Sequence, residues 1–379
     1  MLFPFTEEQR LLQRTLREFV AREVAPRAAA IDREERFPAE TFARLGALGL
    51  LGIAIPKEYG GVGGDFLSAA LAMEALAAGC ASTALSFGAH AFLCAQNLYT
   101  FGNEVQRRRF LPALCTGEKI GAFALTEPDA GSDATSLKTT ATREGNVYRL
   151  NGAKMFITNA SVAGIFLVFA RTAEDQISLF AVERDAPGIT VGRPMEKLGM
   201  RGSPTCEVVF RETPVPVEHR LGEEGDGVHR MVEALNRERS LFSALPVGIA
   251  QAAFDAALAY SKDRAQFGRP IAQFQLIQEM LAEMATDLQA ARLLTYQAAV
   301  LLDAGQGGPL AASHAKLYGG EMVMRVTNRA IQIFGGYGYI REFPVERLMR
   351  DARLISIGGG TAEIQKLIIA RELLKSTEV

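Results

Sequence analysis

Apolar residues recur every three or four positions from Glu7 to Ala30, at Leu11, Leu12, Leu16, Phe19 and Val20. That spacing predicts a helix with one buried face. Phe66 to Ala78 and Glu104 to Leu114 repeat it. From about Phe123 to Arg220 the period falls to two. The runs NVYRL, FLVFA, ISLFAVE and CEVVF are rich in Val, Phe, Ile and Tyr. Turn formers bound them, with EGN before NVYRL, NG after it and DAPG after FAVER. An antiparallel sheet is expected there. From about Gly227 the helical period returns in long stretches, broken at Gly305 to Pro309 and at Gly335 to Gly338. The chain is therefore expected to be α+β, with a helical domain over 1–120, a sheet domain over 121–225 and a second helical domain over 226–379. Strand and helix do not alternate, which argues against a doubly wound dinucleotide fold.

Composition excludes several classes. A formal net charge of -2 gives no bulk attraction to nucleic acid or to a membrane surface. No Asp, Glu, Lys or Arg lies between Glu74 and Glu104, but Gly79, Ser82, Ser86, His90, Gln96 and Asn97 interrupt that stretch. It predicts a buried helix lining a pocket rather than a membrane span. The four cysteines lack CxxC spacing and are expected to be reduced thiols. MLFPFTEEQR has no basic region followed by an apolar run, so no signal peptide is expected, and the Ala- and Arg-rich composition fits a bacterial cytoplasmic protein. None of the four histidines shares metal-ligand spacing with another His or a Cys. No GxSxG elbow and no GxxxxGK[ST] loop occurs, and the Gly-rich runs do not fit GxGxxG after a strand. A demanding reaction without such residues points to a bound organic cofactor.

Three segments carry candidate chemistry. In FALTEPDAGSD (Phe123–Asp133), Pro128, Gly131 and Ser132 form a tight loop whose backbone N–H groups could face a diphosphate. In KMFITN, Phe156 offers a flat face and Thr158 a hydroxyl. In the expected helix from Val228 to Lys262, Met231, Leu235, Phe242, Leu245 and Ile249 make an apolar stripe with one carboxylate in it, Glu238. Burial would raise the pKa of Glu238 and make it a stronger base. It could equally pair with Arg237 or Arg239, and Glu74 and Glu321 also fall near apolar stripes.

FALTEPDAGSD followed by YRLNGAKMFITN resembles the signature of the acyl-CoA dehydrogenase family. So do EYGGVGG, KLGMRGSPTCEVVF, DRAQFGRPI, IQIFGGYGYIREFPVERLMRDA and GGGTAEIQKLIIAREL, which together span nearly the whole chain. The resemblance implies helical, sheet and helical domains, the last a four-helix bundle. It implies FAD, an acyl-CoA substrate, an electron-transferring flavoprotein as acceptor, and a homotetramer. Carried over by motif, Phe123, Leu125, Thr126, Phe156 and Thr158 are expected at the flavin, with Thr158 near N5. Gly131 and Ser132 are expected near the FAD diphosphate or the thioester chain, and Thr361 and Glu363 near the diphosphate or ribose. Arg264, Phe267, Gln332 and Gly336 are expected to reach the FAD of a neighbouring subunit.

Many members of the family carry a Glu where Gly359 stands here, between Gly358 and Gly360. That Glu removes the α proton of the substrate. A subset similar to isovaleryl-CoA and long-chain acyl-CoA dehydrogenases has a small residue there and its base on the helix matched by LNRERSLFSALPVG. Glu238 matches that base and Arg239 the Arg after it. The resemblance thus implies that Glu238 takes the α proton, that the β hydrogen leaves as hydride to flavin N5, and that the Gly359 N–H donates to the thioester oxygen. Ser132, Arg239, Gly358 and Gly360 would line the substrate, Gly358 and Gly359 would leave room for branching beside its α and β carbons, and FGAHAFLC is similar to isovaleryl-CoA dehydrogenases in particular. A short branched acyl-CoA is the expected substrate, with longer chains as the alternative. Phe156 and the buried helix near His90 are expected to keep water out. Gly359→Glu is expected to restore part of what Glu238→Gln removes. The rival readings are an oxygen-using enzyme of the same fold and a non-catalytic acyl-CoA-binding flavoprotein.

Overall fold

The computed structural model describes residues 4–375, so the first three residues of MLFPFTEEQR lie outside it. The first part is helical. It comprises α1 (Glu7–Phe19), α2 (Ala28–Glu34), α3 (Ala39–Ala47), α4 (Phe66–Gly79), α5 (Ala81–Gly88), α6 (Gln96–Phe101) and α7 (Glu104–Thr116). Thr6 and Gln9 close α1 with reciprocal cap hydrogen bonds, and Asn103 and Gln106 do the same for α7. The single helix expected over Glu7 to Ala30 is instead α1 and α2 joined by a π turn (Val20–Val24) and a 3-10 turn (Ala25–Arg27). Pro26 lacks an N–H and cannot continue an α-helix, so the chain widens and then tightens around it. The charge-free stretch after Glu74 is buried, with a π segment (Ala89–Ala95) between α5 and α6.

The middle part holds β1 (Ile120–Ala124), β2 (Thr140–Glu144), β3 (Val147–Thr158), β4 (Ala163–Ala173), β5 (Gln176–Glu183), β6 (Ile189–Val191), β7 (Thr205–Pro216) and β8 (Arg220–Leu221). Their order is β6-β7-β3-β2-β4-β5-β8, with β1 on β4. The expected antiparallel sheet is mixed: β1 pairs with β4 in parallel, Ile120 beside Ala163, and β2 meets β4 in parallel at Thr140 and Arg171. The β2–β3 hairpin lies between β1 and β4 in sequence, so the chain re-enters beside β1 in the same direction. The NG turn after NVYRL is also corrected. Asn151 and Gly152 lie inside β3, at a register shift against β7. Gly152 has φ +150°, and a Cβ there would lie 2.4 Å from Thr139 Oγ1, so the glycine serves a close approach instead of a turn. The two halves of the sheet enclose a core that includes Phe166, Val168, Phe180, Cys206 and Phe210. The other face of β4 and β5 packs through Leu167, Phe169 and Leu179 against Leu98, Phe110, Leu111 and Met231.

The last part holds α8 (Gly227–Phe242), α9 (Ala244–Asp263), a two-stranded hairpin of β9 (Ala265–Gln266) and β10 (Arg269–Pro270), α10 (Gln275–Asp303), α11 (Pro309–Phe334), α12 (Val345–Ala352) and α13 (Ala362–Lys375). The helix expected over Val228 to Lys262 is two helices that break at Ser243. Pro246 has no N–H for the carbonyl four residues before it, and the Ser243 N–H and hydroxyl both turn back to Arg239 O. The stretch Gly227–Asp263 is long and apolar enough to cross a membrane by length and composition, and its most apolar window is 67% buried inside the protein. α9 packs on α10 and α11, and α4 of the first part joins them. A Cβ on Gly248 would lie 2.2 Å from Glu74 O, so only glycine lets α4 and α9 approach so closely.

Candidate active site

The lone carboxylate and the glycine triplet that stand out in the sequence meet in space. Glu238 lies four residues before the end of α8 and is 5% exposed. The turn Gly358 to Gly360 folds over it. Gly359 has φ +68°, and a Cβ there would lie 2.6 Å from Glu238 Oε1 and 3.0 Å from Oε2. The Glu238 carboxylate thus fills the space in which a side chain at 359 would begin. This corrects the expectation that Gly359 leaves room for a branched substrate: the room it leaves is taken by Glu238. It also removes the geometric basis for adding Glu at 359 while residue 238 keeps its length. Gly358 retains open space, with Leu354 Cδ1 the nearest atom at 3.6 Å.

Among the described residues, neither neighbouring arginine forms an ion pair or hydrogen bond with Glu238. Arg237 donates to Asn97 Oδ1 at 2.8 Å and to Glu233 at 2.6 Å. Arg239 Nε donates to Gly359 O at 3.1 Å. Among the described residues Glu238 forms no ion pair, and its buried Oε2 has no hydrogen-bond partner. Burial raises its pKa, while the charges of Lys316 and Arg239 oppose the rise. A buried carboxylate with an unpaired oxygen is costly unless a ligand or proton occupies it. The other two acids are accounted for: Glu74 binds Arg292 and Tyr296, and Glu321 binds Lys366.

The second cluster lies on the sheet. Met155 N–H donates to Thr126 O at 2.8 Å, which sets the Leu125–Glu127 segment beside β3 at Phe156 and Thr158. A buried ion pair underlies it. Lys154 Nζ reaches Glu127 Oε1 at 2.8 Å and Leu125 O at 3.1 Å, and Glu127 also accepts the N–H groups of Lys138 and Thr139. Burial lowers Lys154 to about 8, and the Glu127 charge keeps it protonated at neutral pH. On this support Phe156 projects outward, 64% exposed and at φ +59°. Thr126 and Thr158 are half-buried, and Gly131 and Ser132 are exposed. Phe123 is half-buried and Leu125 buried. Phe123 packs edge-on against Phe169 with ring centroids 5.4 Å apart, and Leu125 is 7% exposed in the core.

The third cluster is on the bundle. Arg264 and Gly336 line one groove of about 430 Å³, and the Arg264 guanidinium lies 5.5 Å from the centre of the Tyr337 ring. Phe267 stands at the tip of the β9–β10 hairpin, 93% exposed, and Gln332 is exposed on α11. Thr361 caps the start of α13, accepting the Ile364 N–H, and Glu363 is exposed beside it. Among the described residues no hydrogen bond or ring contact joins Arg264, Phe267, Gln332 or Gly336 to the outward-facing residues of the sheet cluster.

Among the described residues, His90 forms no hydrogen bond with the named residues of these clusters. It is fully buried, with Nε2 donating to Leu114 O at 3.0 Å and Nδ1 accepting the Gly121 N–H at 2.9 Å. Beside these clusters, sequence reasoning missed the buried charges of Glu127, Lys154 and Lys316. Lys316 is 5% exposed on α11, donates to Ile355 O, and is lowered to about 8 by burial. Its only signal in the sequence was a lysine in an Ala- and Gly-rich helix.

Three family models match consecutive parts of the chain: Acyl-CoA dehydrogenase, N-terminal domain at 6–118, middle domain at 122–213 and C-terminal domain at 225–374. The chain belongs to the acyl-CoA dehydrogenase family. It is similar to a protein named as a probable acyl-CoA dehydrogenase from Bacillus subtilis (strain 168), 46% identical over 99% of this chain and 100% of that one. A short-chain specific acyl-CoA dehydrogenase of Clostridium acetobutylicum is 44% identical over 99% and 100% of the two chains. The mitochondrial isovaleryl-CoA dehydrogenase of Oryza sativa subsp. japonica is 41% identical over 99% and 93%. Among solved structures, one from work on the electron transferring flavoprotein of Acidaminococcus fermentans superposes with TM-score 0.97 at 40% identity, covering 98% and 99%. The butyryl-CoA dehydrogenase of Megasphaera elsdenii gives 0.96 at 40% identity, covering 98% and 99%. The FAD complex of PigA gives 0.94 at 32% identity, covering 98% of each chain.

Proposed function

We propose that this chain is an FAD-dependent acyl-CoA dehydrogenase that oxidises a short branched acyl-CoA, such as isovaleryl-CoA, to its 2-enoyl product, with Glu238 as the α-proton base. The observation that carries this reading is the Glu238 carboxylate, buried, unpaired and seated where a side chain at Gly359 would start. FAD fits the residues present. Phe156 offers an uncovered ring, Thr126 and Thr158 flank it with hydroxyls, and the Gly131–Ser132 loop has open space over its backbone. Bound FAD would supply the acceptor for the β hydride.

The chain's own residues do the rest. Burial makes Glu238 a stronger base than an exposed carboxylate. The Gly359 N–H needs no side chain to donate to the thioester oxygen as negative charge develops there, and Arg239 fixes the turn by holding Gly359 O. Gly358 and Gly360 line the same turn, and Arg264, Phe267, Gln332 and Gly336 serve the site of a second copy. An electron-transferring flavoprotein is the proposed electron acceptor, supported by the close superposition on the structure from the Acidaminococcus fermentans flavoprotein work.

The substrate class is tested by anaerobic spectra of the FAD-loaded protein with butyryl-, isovaleryl-, octanoyl- and palmitoyl-CoA in parallel. Flavin absorbance is expected to bleach fastest with isovaleryl-CoA. Fastest bleaching with palmitoyl-CoA would reject the short branched substrate, and binding of all four without bleaching would reject the dehydrogenase.

A further inference from the structure

Lys316 has no part in the chemistry assigned so far, yet it is the buried cation that acts most strongly on Glu238. It lies on α11 four residues before Gly320, so both face the same way. Its Nζ donates to Ile355 O, and a Cβ on Gly320 would lie 3.6 Å from that oxygen. This face of α11 therefore cradles the backbone at Ile355, just before the glycine turn. The turn is then held at three carbonyls: Ile355 O by Lys316, Gly359 O by Arg239 at 3.1 Å, and Gly360 O by Gln365 at 3.1 Å. A backbone amide could have bonded Ile355 O without burying a charge. A lysine there also places a buried cation whose charge acts on the buried Glu238.

We propose that Lys316 is the positioning residue of the proton-abstraction step: it clamps the Gly358–Gly360 turn over Glu238 and supplies the positive charge that lets this buried carboxylate ionise. The proposal rests on Glu238 being the base. The charged groups acting on Glu238 are Lys316 from α11 and Arg239 from its own helix, and Arg239 is committed to Gly359 O. Lys316 in turn feels Glu238 and Arg239. Removing Lys316 takes away an influence that lowers the Glu238 pKa. Less of the base is then ionised at neutral pH, and the loss is recovered as pH rises.

The test isolates proton removal from hydride transfer. In 3,3-dimethylbutanoyl-CoA the β carbon bears no hydrogen, so the α hydrogens can only exchange with solvent. Exchange into D2O by the FAD-loaded protein is followed by NMR from pH 5.5 to 9 in wild type, Lys316→Met, Lys316→Arg and Glu238→Gln. Lys316→Met is expected to move the acid limb of the profile to higher pH by about one unit, an approximately tenfold loss on that limb. Lys316→Arg, which keeps the charge, should stay closer to wild type. An unmoved midpoint in Lys316→Met, or the same loss at every pH, would overturn the proposal while leaving Glu238 in place. Wild-type exchange in Glu238→Gln would overturn the base assignment and this proposal with it.

Discussion

At the scale of single residues, the site turns on a mutual exclusion. Glu238 and a side chain at 359 cannot share the space, since the Cβ alone would stand 2.6 Å from a carboxylate oxygen. Gly359 also has φ +68°, where any residue other than glycine costs about 1–2 kcal/mol. Gly359→Glu alone is therefore expected to slow flavin reduction by about tenfold or more. The double substitution Glu238→Gly with Gly359→Glu clears the space and presents a carboxylate from the other side of it. It is expected to recover a measurable part of the activity that Glu238→Gly alone abolishes, read as the anaerobic bleaching rate. A double variant as inactive as Glu238→Gly would show that the two positions do not address the same carbon. Both halves of this pair could be read in the sequence, one as a lone carboxylate on an apolar stripe and the other as a glycine triplet. Lys316 could not, because what makes it unusual is the far end of its side chain meeting a carbonyl 39 residues away.

At the scale of elements, His90 joins three pieces of the molecule. From the π segment before α6 it donates to the end of α7 and accepts from the first residues of β1. Both bonds need the neutral ring with its proton on Nε2. Burial lowers its pKa to about 4, against an ordinary value near 6.5. A histidine depressed on folding stabilises the protein above its unfolded pKa, and that contribution is lost as pH falls from 6.5 towards 4. Lowering the pH from 7.5 to 5 should cost about 2 kcal/mol through this one group. His90→Gln is expected to lower the melting midpoint at pH 7.5 and to flatten its fall towards pH 5. An equally steep fall in the variant would mean that other groups carry the acid sensitivity. The helical and extended periods marked most elements, but not their directions. Strand β1 runs parallel to β4 because a hairpin intervenes, and connection geometry leaves no trace in a two-residue period. The break at Ser243 was legible in Pro246, and the bulge at Gly152 was hidden because NG is also the commonest turn signal.

At the scale of the whole molecule, the residues proposed to hold FAD fall into two groups that no hydrogen bond or ring contact joins among the described residues. Phe156 and Thr158 stand on the sheet, whereas Arg264, Phe267 and Gly336 stand on the bundle. The bundle surface also exposes Phe267 at 93% and Tyr339 at 87%, large side chains that water does not favour. A homotetramer that supplies each sheet cluster with a neighbour's bundle would account for both. Size-exclusion chromatography with light scattering is expected to give a tetramer. Arg264→Ala is expected to lose FAD on the column while its far-UV circular dichroism stays unchanged. A monomer that retains FAD would contradict this arrangement. The order of helices, strands and helices was legible along the chain, but the proposed division of the cofactor site between copies came only from motif resemblance, since no pattern within one chain encodes its neighbour.

The most direct test of the central claim is the anaerobic rate of flavin bleaching by isovaleryl-CoA in Glu238→Gln beside wild type, with FAD content measured in both. The amide keeps the shape of the side chain and removes its basicity. The expected result is equal FAD content, bleaching in the wild type, and a rate at least about a thousandfold lower in the variant. A variant that bleaches near the wild-type rate would mean that another group takes the α proton.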